Sequence, residues 1–140
     1  MTFLLTLHSI LRWLVVFVAL ALLIRFGLGL IQKRAYDRSA RGLASAFAGL
    51  MDLQLLIGTV FFVWSGFAIQ GGFALRHRWE HLFVMLLAVL AAHLPAAWKK
   101  KDDQTRYRNG LAAVLVSLLL VVIGVFALPG NRWLTISGLF

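Results

Sequence analysis

The stretch Phe3–Ile31, FLLTLHSILRWLVVFVALALLIRFGLGLI, is apolar almost throughout, broken by His8, Arg12 and Arg25. A helix needs about 20 residues to cross the hydrocarbon core of a bilayer, so this run is long enough to span it with tilt or overhang. A cleaved signal peptide is not expected, because no Lys or Arg precedes the run and the run is too long for a signal core. Arg12 and Arg25 sit toward opposite ends and are expected to snorkel outward in opposite directions.

Three further apolar runs follow, at about 43–69, 79–98 and 110–128. The second holds Asp52 and Gln54 and stops at Gly71-Gly72; the third opens on Glu80-His81 and carries His93 and Pro95; the fourth is uncharged and stops at Pro129-Gly130. None alternates with a period of two, so a β-barrel is not supported. Of the 140 residues, 61% are hydrophobic and 14% charged. A short chain has too little interior to hide that excess, which leaves lipid as the solvent. The expected fold is therefore all-α: one integral membrane domain of four transmembrane helices, 3–31, 43–69, 79–98 and 110–128, packed up-down-up-down.

Lys33, Arg34, Arg38 and Arg41 follow the first run, and Lys99, Lys100, Lys101, Arg106 and Arg108 follow the third. The other side has Arg76, Arg78 and Arg132. The positive-inside rule puts the basic loops in the cytoplasm and both termini outside, which for a bacterial inner membrane is the periplasm. Trp64, Trp79 and Trp133 then mark the outer interface and Trp98 the inner one. The formal charge of +9 reads as a topology signal and as attraction to anionic lipids, not as a nucleic-acid footprint.

Ionisable residues inside spans are costly and are functional candidates by default. Two clusters emerge. His8, Arg12, Glu80 and His81 lie near the outer face, where His8 and His81 enter helices running in the same direction at similar depth. Two imidazoles from different helices can ligate a b-type haem axially, with Arg12 or Arg78 near the propionates. The competing reading is a polar cluster in which Arg12 pairs with Glu80. Asp52, Gln54 and His93 form the inner cluster, read as a proton or quinone site or, more simply, as a hydrogen-bonded pair locking two helices. With no cysteine, thiolate-held clusters, c-type haem and disulfides are excluded. No nucleophile–base pair and no metal triad is visible, so catalysis by this chain alone is not expected.

The segment Leu7-His8-Ser9-Ile10-Leu11-Arg12-Trp13, the spacing of Asp52, Gln54 and Gly58, and the pair Glu80-His81 resemble small four-helix bacterial membrane proteins labelled cytochrome b-like. The resemblance covers most of the chain in hydropathy and order, but only these stretches in residue identity. Members of that group carry His where this chain has Asp52, and a carboxylate is a poor substitute in bis-imidazole ligation. The resemblance therefore implies haem at His8 and His81, in a small subunit of a respiratory or photosynthetic electron-transfer complex, taking electrons from a quinol. The alternative is a haem-free accessory subunit, docked on larger membrane subunits through glycines such as Gly49 and Gly66. A channel or transporter ranks third, since four spans with few internal polar groups do not make a pore.

Overall fold

The computed structural model describes residues 2–130 and Trp133; Arg132 and both chain ends lie outside the described residues. Four helices are long and apolar enough to cross a membrane: α1 (Thr2–Ile31), α2 (Arg38–Ala68), α3 (Arg76–Ala97) and α4 (Asp103–Phe126). Among the described residues there is no strand.

Three helices begin before their apolar runs do, and for α2 and α4 a capping carboxylate sets the start. Asp37 caps α2 by accepting from the Ala40 backbone N–H at 2.9 Å, so Arg38 and Arg41 are helical and not loop residues. Asp102 caps α4, accepting from the Thr105 backbone N–H at 3.0 Å and from its hydroxyl at 2.6 Å. The α3 helix opens at Arg76, which brings His77 and His81 onto one helix. Both capping carboxylates are held below the usual carboxylate range, Asp37 chiefly by the Ala40 N–H and Asp102 chiefly by the Thr105 hydroxyl and N–H.

Each helix packs antiparallel on its neighbours in sequence, and α4 closes the ring against α1, leaving α1 and α3 on a diagonal. Small residues fix how each helix is rotated. The Tyr107 ring of α4 lies directly on Gly29 of α1, and Phe26 of α1 lies on Gly110 of α4; a Cβ at either glycine would enter the ring. Tyr107 is tied on both sides: its hydroxyl donates to the Ala35 carbonyl at 2.9 Å and accepts from Arg25 at 3.0 Å. Arg25 also pairs with Asp37 at 2.9 Å. Farther along, Ser117 of α4 donates to the Ala88 carbonyl of α3 at 2.8 Å. Gly66 is not an outward docking face, since it is covered by Phe73, whereas a Cβ at Gly49 would meet open space.

The opposite faces are apolar as well. Phe17, Ile24, Phe67, Leu90, Leu119 and Phe126 all point outward. A helix apolar all round belongs in lipid or inside a larger assembly, and four such helices make a multi-pass membrane protein.

Candidate functional site

The diagonal is where the histidines meet. His8 from α1 and His81 from α3 face each other inside the bundle, with ring centres 6.4 Å apart and ring planes at 75°. They line a cavity of about 150 Å³ that also touches Arg12, Gln54, Gly58, Met85 and Arg78. Most of its remaining wall is aliphatic, including Leu55, Val89, Val121 and Val125, and no carboxylate lines it among the described residues.

Each imidazole is set by a neighbouring helix. His81 Nδ1 lies 2.7 Å from the Gly124 carbonyl of α4. A carbonyl can only accept, so Nδ1 carries the proton and Nε2 is left with its lone pair. Metal-bound histidines are held the same way, with the second ring nitrogen donating to a carbonyl or carboxylate. His8 packs across α2 at Gly58, where an ideal Cβ would stand 2.8 Å from its Cε1. Its Nδ1 is buried without a hydrogen-bond partner among the described residues. Gln54 donates to the His8 carbonyl at 2.8 Å and clamps that turn of α1 onto α2.

Arg12 does not snorkel outward. It is 9% exposed, lines the cavity, and its guanidinium lies 5.4 Å from the Trp133 ring centre and 3.5 Å from the Trp133 carbonyl. Glu80 is not its partner; Glu80 pairs with Arg76 one turn back on α3. Arg78 closes the end of α2, donating to the Gly72 and Phe62 carbonyls at 2.7 Å each and to the Ser65 hydroxyl. His77 does not line the cavity.

The inner cluster divides. Asp52 and Gln54 are two residues apart on a helix and so face opposite ways. Gln54 turns in toward the histidines, whereas Asp52 accepts a 2.8 Å contact from His93 Nε2 on the outer flank of α2 and α3. Both members of that pair are about half exposed, at 52% and 49%. The contributions of Gly124 and Met85 had no sequence signal, because they lie in uncharged helical stretches where nothing marks one face over another.

With ring centres 6.4 Å apart, His8 and His81 would have room to hold one metal between them at metal–nitrogen distances of about 2 Å. Among the described residues no three of His, Asp and Glu converge as a bare ion would require. A pair of imidazoles suits a metal that brings its own equatorial ligands, as iron in a porphyrin does. No protein-family model, no curated protein and no solved structure matches this chain.

Proposed function

We propose that this chain is a small cytochrome b-like electron-transfer subunit of a bacterial membrane complex, holding b-type haem between His8 of α1 and His81 of α3. The observation that supports it is the pair of imidazoles from diagonal helices at a spacing suited to one shared metal. When bound, haem supplies reversible one-electron chemistry. The chain's own residues do the rest. Gly124 orients His81, Gly58 and Gln54 seat His8, and the aliphatic wall excludes water. Arg12 and Arg78 both line the cavity and would provide positive charge toward the propionates. The Lys and Arg clusters favour an orientation in the bacterial inner membrane with both termini outside.

A haem-free accessory subunit is the second reading. It draws on the cavity's size, about 150 Å³, which is less than a tetrapyrrole occupies, so that haem entry requires flexible side chains such as Met85 to swing aside. The outward apolar faces also suit packing beside larger membrane subunits.

The test is an absorbance spectrum of the chain purified in mild detergent, oxidised and then reduced, with a pyridine-haemochrome assay. A low-spin b-type spectrum is expected, lost in His8→Ala and in His81→Ala while far-ultraviolet circular dichroism stays helical. A colourless protein that takes up no added haemin sinks the proposal and leaves the accessory reading, for which co-purification with a larger subunit is the check.

A further inference from the structure

A second cavity lies at the opposite end of the bundle, on the outer flank of α2 and α3. It is a groove of about 760 Å³ floored by small residues, with Ala48 and Gly49 on α2 facing Ala92 on α3. Arg41, Lys99, Lys100 and Arg106 line it at the end nearest the basic loops. None of the four makes an ion pair among the described residues, although Arg25 in the same region is paired with Asp37.

The cationic end is built as well as charged. The Arg106 guanidinium lies over the Tyr36 ring, 3.7 Å from its centre, and its Nε is buried without a hydrogen-bond partner among the described residues. Tyr36 itself is buried, and that burial pushes its phenol above the ordinary value against the pull of Arg106, so the ring stays a neutral stacking surface. Stacking of this kind fixes a guanidinium while leaving its in-plane donors available for an anion. The one carboxylate of the lining, Asp52, is engaged by His93 and lies eleven residues along α2 from Arg41, about 16 Å away. It therefore leaves the cationic end uncompensated.

We propose that this groove binds an anionic phospholipid, with the phosphodiester at Arg41, Arg106 and the paired lysines and an acyl chain lying over Ala48 and Gly49. Charge complementarity selects the head group. The apolar floor, on the outward face of two membrane-spanning helices, selects a lipid over a free anion. Basic pockets between transmembrane helices are suited to this ligand, because a membrane face rich in basic loops meets anionic lipids at high local concentration. The α2–α3 seam, otherwise held at this level by the Asp52–His93 contact, is closed by the bound lipid.

Thermal unfolding of the full chain in nonionic detergent tests this, with added phosphatidylglycerol, phosphatidylcholine, inorganic phosphate or a short-chain quinone. Phosphatidylglycerol is expected to raise the midpoint, and the other three are not. Replacing both arginines, R41Q with R106Q, should weaken the apparent affinity about thirty-fold. R34Q with R108Q removes the same charge from outside the groove and should leave it nearly unchanged. Gly49→Leu places a side chain in the groove where a Cβ meets nothing within 4 Å, so it should block the lipid without disturbing the fold, and it carries the test if the arginine variant does not fold. An equal response to phosphatidylcholine, to phosphate or to the quinone overturns the proposal. So does a phosphatidylglycerol response that survives Gly49→Leu.

Discussion

Gly58→Ala separates the fold from the histidine site. The glycine sits mid-helix in α2, where alanine is favoured by about 1 kcal/mol. The new Cβ would stand 2.8 Å from His8 Cε1 and 3.3 Å from its Nδ1, against ordinary contact at 3.4 Å and beyond. The imidazole must therefore retreat by about 0.6 Å, the difference between 2.8 and 3.4. It is the far end of a side chain bordering a cavity, so the retreat is cheap, at the low end of the roughly 1–3 kcal/mol that overpacking costs. Net stability should fall by no more than about 2 kcal/mol.

Ligation is far less forgiving than packing. Metal–ligand distances hold to about 0.2 Å, so a shift of about 0.6 Å is three times the tolerance. Losing ligand orientation typically costs 10–100-fold in metal affinity, and haem affinity should drop by about that factor. Gly42→Ala is the control, with the same helix-propensity gain and nothing within 4 Å of the new Cβ. Haemin titration followed at the Soret band, beside far-ultraviolet circular dichroism, reads both effects. If Gly58→Ala binds haemin as tightly as Gly42→Ala, with an unchanged low-spin spectrum, His8 is not a ligand held by this contact.

Other substitutions probe the frame. Gly29→Ala drives a methyl into the Tyr107 ring, which its two hydroxyl contacts prevent from backing away, so a net loss of about 1–2 kcal/mol is expected in denaturant unfolding. Ser117→Ala removes one buried interhelical hydrogen bond whose acceptor keeps its helical bond, and the same assay should show about 0.6–1 kcal/mol lost. Stability should also respond to acid through the two helix caps. Asp37 and Asp102 have folded pKa values below their unfolded ones, so their contribution is complete above the ordinary carboxylate pKa and drains away as pH falls through the lower, folded value. Midpoints measured from neutral pH downward should drop in the parent chain below about pH 4 and drop less in Asp37→Asn with Asp102→Asn.

The spans were legible because length and apolarity alone decide them, and Phe3–Ile31 nearly states its helix outright. Helix starts were less so. Asp37 and Asp102 extend α2 and α4 back through charged turns that carry no apolar periodicity. Matched depth was legible for His8 and His81, since it needs only the direction of each helix and a rise per residue. Rotation about each axis was not. A helix apolar on every side has no amphipathic stripe to say which face turns inward, so the sequence alone has Arg12 snorkelling outward and groups Gln54 with Asp52. Tertiary fits settle rotation: Tyr107 against Gly29, Phe26 against Gly110 and His8 against Gly58. Each is a glycine facing a ring, a pairing recognisable only once both partners are known.

Those fits divide the bundle into two ends with different physics. At the basic-loop end, Phe26, Tyr36 and Tyr107 stack in mutual contact, with ring centres 5.0–5.6 Å apart, and the Arg25–Asp37 pair ties that cluster to the start of α2. At the other end the centre holds a cavity, two imidazoles and a guanidinium, and the aromatic pairs, such as Phe62 with Phe73 and Trp13 with Trp133, lie around it. His8 and Gly29 are 21 residues apart on α1, or about 31 Å, far beyond the roughly 10 Å within which mutational effects couple. The aromatic end can thus hold the helices in register while the histidine end carries the cost of buried polar groups and empty volume. On the proposed haem reading the placement follows, because ligands on a diagonal can close on a shared centre only where no side chain fills the space between, and that is where the cavity lies.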